Sequence, residues 1–445
     1  MVRRTSCRKP CGSADHSLSR RSFFGVAGAG LAGLGMLDSP LLGEQLAQQQ
    51  KRVLMIFLNG GMSQFESWDP KPGRPTGGPF QAIPSSVSGY AISELMPRMA
   101  ACLNKHTAVI RSLESKNGDH KDIPLYGGKP TTGVLKYPSI GAMLARELSD
   151  PRSPVPHHVM FSNYLGQSYY DSAGFYGSQW DPITIKPGER QAEPPFKIRD
   201  SILRLAPEGN KLPAGMTDLE HTQRAGLRSM LGSEFLRGHE RDGTLASFNT
   251  AYSRVRGLMD SSKLFDIEQE PARMRDLYGP TPFGQHALVA RRLIEAGVPF
   301  VRVNRGWWDH HGQNFEFHHE MVPELDYVMS VLLGDLEDRG LLQHTLVVTF
   351  SEMGRTPSIN NNMGRDHFSR MSVSLSGCGI KPGVIYGKTN EDGTEIAEGL
   401  VTLQQFFATI FQAVGIDHQK EHDAPDGRPV PLTDYGTKPV SEVLA

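Results

Sequence analysis

Three short stretches hold ligand-type side chains at close spacing. WDHHGQNF (308–315) places Asp309 and His311 one residue apart as D-x-H. SEMGRTP (351–357) sets Glu352 three positions before Arg355, and GRDHF (364–368) lines up Arg365, Asp366 and His367. Imidazoles mixed with carboxylates suit a divalent metal such as zinc, manganese or iron, and two-metal sites activate water and clamp transferring oxyanions. A guanidinium forks onto two oxygens, so Arg355 and Arg365 are candidates for holding a phosphate or sulfate group. For Arg355 the competing expectation is a structural ion pair with Glu352. His310, His318 and His319 read as surface or packing residues, and Trp307 and Trp308 as core or pocket wall. Asp326 reads as part of a solvated helix face and Asp335 as a helix-end charge.

Such residues do chemistry only if strands deliver them to one place. KRVLMIFLNGG (51–61) reads as a buried strand ending in a Gly turn. TAVIRSL (107–113), VPHHVMFS (155–162), VPFVRVN (298–304), HTLVVTFS (344–351) and MSVSLSG (371–377) are further strands. Helical spacing appears in 285–297, in 321–340 with apolar residues at 321, 325, 328, 332 and 336, and in 400–416. Strands alternating with helices predict an α/β fold, a doubly wound and mostly parallel sheet with helices on both faces. Residues 165–285, rich in Pro, Gly and charge, read as a helical insertion or cap. Ligands of open α/β sheets bind beyond the carboxyl ends of the strands. The polar stretches after 53–58, 299–304 and 344–350 therefore converge on one site.

The 445 residues carry 47 basic and 48 acidic side chains, a balance that gives no support for a nucleic-acid surface. Cys7 and Cys11 lie near the N-terminus; Cys102 and Cys378 are too few for a disulfide framework, and two unpaired thiols are expected. SRRSFF (19–24), followed by an uncharged Gly-rich run to residue 37, resembles a twin-arginine export signal. That run is too short to span a membrane. GAGLAG (28–33) fits G-x-G-x-x-G but lies inside the signal, away from a βαβ unit, and is discarded. Residues 1–47 are thus expected to be signal and linker, and 48–445 the functional domain. H-E-x-x-H, the P-loop, G-x-S-x-G and the sulfatase-type C-x-P-S-R are all absent.

NGGMSQFESWDPKPG (59–73), YPSIGAMLARE (137–147), LVARRLIEAGVPFVRV (288–303), WDHHGQNF, LLGDLEDRGLLQHTLVVTFSEMGRTP (332–357), GRDHF and GCGIKPGVIYGKT (377–389) resemble DUF1501 proteins. The resemblance runs from about residue 50 to the C-terminus. DUF1501 is grouped with the alkaline phosphatase-like, or sulfatase-like, superfamily. The resemblance implies that fold and metal-assisted hydrolysis of phosphate or sulfate esters. By position it implies metal ligation by Asp309, His311, Glu352 and His367, and Asp366 beside His367 adds a further candidate carboxylate. Asn59 stands where the first strand normally offers an Asp, and Asp69 is the expected substitute. RSLESKNGDHKD (111–122) offers Ser112 and Ser115 in the nucleophile region, with Asp119 and His120 as ligands or substrate contacts.

The resulting expectation is an exported hydrolase dependent on a divalent metal (zinc, manganese, iron or calcium). Its substrate would be a small-molecule or polysaccharide ester. Arg355 or Arg365 would hold the oxyanion, His120 would assist, and activated water or Ser112 would attack. The twin-arginine translocase is the expected export partner, and the periplasm or extracellular space the destination. The alternative is a non-catalytic exported protein of the same fold that binds an anionic polysaccharide or an envelope partner.

Overall fold

The computed structural model describes residues 50–131, 133–150, 155–162, 171–185, scattered positions between 215 and 231, and 262–445. The signal-like segment 1–47 lies outside these, as does most of 186–261.

The core is a nine-stranded sheet. Its main strands are β1 (Arg52–Leu58), β2 (Thr107–Glu114), β3 (His158–Phe161), β4 (Ile183–Ile185), β5 (Phe300–Arg305), β6 (Thr345–Phe350) and β7 (Arg370–Gly377). Two short strands, β8 (Ile385–Tyr386) and β9 (Val401–Thr402), both pair with β2. The order across the sheet is β8-β2-β7-β6-β1-β5-β3-β4. All pairings are parallel except those of β7, which runs antiparallel to both neighbours.

β1 is buried over its whole length. Leu54, Ile56 and Leu58 enter one apolar cluster, and Val53, Met55 and Phe57 the other. That alternation is the period-2 side-chain rule of a strand covered on both faces. One face is covered by α1 (Pro97–His106), α4 (Pro282–Glu295) and α5 (Asn314–Asp338), and the other by α2 (Ile140–Leu148) and α6 (Leu403–Ala413). α3 (Ala272–Tyr278) leads into α4. Local sequence explains the helix starts. Thr281 caps α4 at Gly284 N with Pro282 in its first turn, and Thr402 and Gln405 form a capping box on α6.

α5 starts at Asn314, seven residues before the expected 321. Its first two turns carry no regular apolar stripe, and Pro323 lies inside the helix. Of the region read as an insertion, 171–185 supplies the edge strand β4, and 262–285 supplies α3 and the first turn of α4. Cys102 and Cys378 are free thiols. No helix among the described residues is long and apolar enough to cross a membrane.

Asp326 and Asp335 are both buried; Asp326 departs from the solvated-face reading, whereas Asp335 lies in the last turn of α5, as read. Asp335 accepts from Tyr278 Oη at 2.9 Å and pairs with Arg291 and Arg339. Asp326, on α5, accepts from Arg98 N (3.0 Å) and Met99 N (2.7 Å) and so caps the N-terminus of α1 from another helix. Burial pushes its carboxyl up to about 6, against the pull of those two amides. Between about pH 4 and 6 the folded protein keeps a proton that the unfolded chain has released, so this group's contribution falls as pH rises through that window. Asp326→Ala is expected to cost roughly 1–2 kcal/mol near the acid end, and less at neutral pH. Urea unfolding at the two pH values checks this; an equal cost at both would contradict it.

Candidate metal centre

The site lies at the carboxyl ends of β1, β5 and β6, three adjacent parallel strands. β1 delivers Asn59, Gly60 and Gly61. β5 delivers Asp309–His311, and β6 delivers Glu352 and Arg355. A two-residue hairpin pairs Gly354–Arg355 with His367–Phe368, opposing Arg355 to His367. The loop after β2 brings in His120. Close approach of these loops requires a missing side chain at Gly60 (φ +106), where a Cβ would sit 2.6 Å from Asp309 N.

Asp309 is the hub. Its Oδ2 lies 3.0 Å from His120 Nε2, and its Oδ1 lies 3.1 Å from His311 Nε2 and 3.3 Å from His367 Nε2. His311 Nε2 and His367 Nε2 are 3.0 Å apart. His120, Asp309 and His367 each offer one ligand atom, all within 4.8 Å of one another. Two of the imidazoles are backed by a carboxylate on the far nitrogen. Glu352 Oε1 lies 3.3 Å from His120 Nδ1, and Asp366 Oδ1 lies 2.7 Å from His311 Nδ1. A carboxylate on Nδ1 keeps the proton there and turns the Nε2 lone pair toward the centre.

Electrostatics follow from these contacts. Burial opposes ionisation of Asp309, but hydrogen bonds from His120, His367 and Arg355 outweigh it and hold its carboxyl well below the usual range. Hydrogen bonds to Asp309 and Glu352 push the His120 imidazole up to about 9, against its partial burial. Contact with His311 draws Asp366 below the ordinary carboxylate value. The cluster is therefore a seat for positive charge, which a proton on His120 fills when no ion is bound.

Several expected roles change. Glu352 and Asp366 stand behind histidines instead of beside them as donors. Glu352, fully buried, also accepts from Gly60 N at 2.7 Å. His120 faces Asp309 beside His367. Arg355 is fully buried, and its carboxylate partner is Asp309 (2.6 Å), not the Glu352 of the ion-pair expectation. Arg365 is also fully buried, paired with Glu66 at 2.8 Å and donating to the carbonyls of Thr76, Thr356 and Pro357. Neither guanidinium faces an incoming anion. Ser112 is buried and donates to Gly399 O at 2.5 Å, which removes it as a nucleophile. Ser115 donates to Asn117 O and Ser369 O. Asp69 pairs with Lys71 and Arg111 and accepts from Thr389, outside the cluster.

His310 and His318 are packing residues, as read. Burial pushes them down to about 2 and about 4, and His310 stacks on Phe317. Trp308 is buried and Trp307 half-buried. The role of Gln64 has no signal in the sequence. Its side chain donates to Arg355 O (2.8 Å) and accepts from Arg355 N (3.1 Å), and so holds the β1 loop to the hairpin.

Fold and site together define an α/β protein with a histidine–carboxylate cluster at the crevice edge of a doubly wound sheet. The chain belongs to the DUF1501 family, described as proteins of unknown function, whose model matches residues 50–444. No curated protein matches the sequence. Among solved structures the chain is similar to a protein of the alkaline phosphatase superfamily from Vibrio parahaemolyticus, at 11% identity and TM-score 0.37, covering 83% of this chain and 67% of that one. It is similar to the PsFucS1 sulfatase from Pseudoalteromonas sp., at 12% identity and TM-score 0.36, over 89% and 72%. It is also similar to a TAB5 alkaline phosphatase mutant with magnesium bound, at 12% identity and TM-score 0.35, over 83% and 99%. These likenesses are distant.

Proposed function

We propose that this is an exported, metal-dependent hydrolase of phosphate or sulfate esters, with the ion held by Asp309, His120, His311 and His367. The observation that carries the metal is the spacing of donors. Metal–nitrogen bonds of 2.0–2.1 Å in a tetrahedral site put neighbouring donors about 3.3 Å apart. Asp309 Oδ1, His311 Nε2 and His367 Nε2 are separated by 3.0, 3.1 and 3.3 Å. Three imidazoles and one carboxylate favour zinc or another divalent transition metal over calcium, which takes oxygen ligands.

An ion there supplies a Lewis acid for an ester oxygen and makes water a usable nucleophile at neutral pH. The protein's own residues do the rest. Glu352 and Asp366 hold protons at Nδ1 of His120 and His311. Arg355 orients Asp309. His311, 46% exposed, forms the solvent side through which an ester reaches the cluster. The ester class follows the sequence resemblance, and export follows SRRSFF (19–24).

A binding protein is the second reading. It is favoured by the engagement of Ser112 and the burial of Arg355 and Arg365, which leave no chain nucleophile or free guanidinium in the cluster among the described residues. Elemental analysis of protein purified without chelators should find close to one divalent metal per chain or more, lost in His367→Ala. Turnover of chromogenic phosphate or sulfate esters should fall by about 10²-fold or more in that variant. Metal-loaded protein inert toward both ester classes would hand the lead to the binding reading.

A further inference from the structure

The Asn-rich loop between the hairpin strands contains an asparagine whose side-chain bonding is complete. Asn360 Nδ2 donates to His311 O at 2.9 Å and to Asp366 Oδ1 at 3.3 Å. Its Oδ1 accepts from Asn362 N at 3.0 Å and Gly364 N at 2.9 Å. Two donors and two acceptor sites are all that a primary amide has. The acceptor end closes the turn 360–364, and the donor end reaches across to the D-x-H loop and to the carboxylate behind His311. Asp366 is 57% and His311 46% exposed, so packing does little to fix either side chain. Hydrogen bonds must do it.

We propose that Asn360 is a positioning residue of the metal centre, holding Asp366 on His311 Nδ1 so that His311 Nε2 faces the ion. The inference rests on the metal reading above. No other side chain meets the same geometry. Alanine loses both ends, and glutamine is a methylene too long. Aspartate keeps the acceptors for the turn but sets a second carboxylate against Asp366. Asn360→Asp therefore separates the turn-closing role from the positioning role.

The test uses cobalt(II) as a visible substitute ion in the full-length protein. Wild type should bind cobalt with the intense ligand-field bands of a low-coordinate site. Asn360→Asp should weaken cobalt binding by about 10–100-fold and shift those bands. Asp366→Asn should do the same, and the double variant should lose no more than Asp366→Asn alone, because both act through one carboxylate. Melting of the metal-free proteins reports the turn separately. Cobalt affinity and bands unchanged in Asn360→Asp, or additive losses in the double variant, overturn the positioning role and leave the metal centre standing. A wild-type protein that takes up no cobalt overturns both readings.

Discussion

Replacing Arg355 with methionine should destabilise the protein by about 3–5 kcal/mol and abolish stoichiometric metal binding. The guanidinium is fully buried and bonds to the loops after β1 and β5 and to the hairpin loop. Nε donates to Gly61 O at 2.9 Å, Nη1 to Arg365 O at 3.0 Å, and Nη2 to Gly60 O and to Asp309 Oδ1, the latter at 2.6 Å. Methionine fills similar volume but leaves Asp309 without its fixed positive partner and three carbonyls without a donor. Lysine keeps the charge and should still fail, because one ammonium cannot follow a planar fork onto loops arriving from different directions. Guanidinium unfolding measures the stability loss as a lower midpoint at unchanged slope, and elemental analysis measures the metal. A methionine variant within about 1 kcal/mol of wild type, still metal-loaded, would show that the loops hold together without this residue.

The second large effect is steric. At Gly364 a Cβ would lie 2.0 Å from the carbonyl carbon of His311 and 2.1 Å from its oxygen. Both are backbone atoms, so no rotamer change relieves the overlap. Gly364→Ala must push the 309–312 and 360–366 loops apart, which takes His311 Nε2 away from His367. The expected cost is about 1–3 kcal/mol or more from overpacking, with loss of metal. Gly334→Ala is the matched control. It lies on α5 with no atom within 4 Å of the added carbon and should gain up to about 1 kcal/mol from helix propensity. Thermal melts and metal analysis of the pair decide the matter. Similar behaviour of the two variants would show that the loops yield easily.

Much of the scaffold was legible because its signals are local. The apolar run 53–58 and the alternation of strands with helices predict a doubly wound sheet, and the convergence of three polar strand ends follows from its topology. The division of labour inside the cluster was not legible. Whether a carboxylate meets an ion or backs a histidine depends on a side-chain direction set by partners on other loops. Glu352 and His120 are 232 positions apart. Arg355 and Arg365 read as holders of an oxyanion because arginine in a polar loop is usually accessible; here the carbonyls of the surrounding loops enclose them. Asp69 was lost to Lys71 and Arg111, and Asp326 caps a helix 228 positions away, which no short window can reveal.

The scatter of the donors along the chain also sets an order of events. His120 and Asp309 are 189 positions apart, and the strands that carry them are not neighbours in the sheet. The cluster cannot exist until β2, β5 and β6 have found their places, so an ion cannot template folding here as it does in a zinc finger, where the ligands are close in sequence. An ion held there would be a late guest in a finished building, and its identity would be set by the metal pools that the folded protein meets.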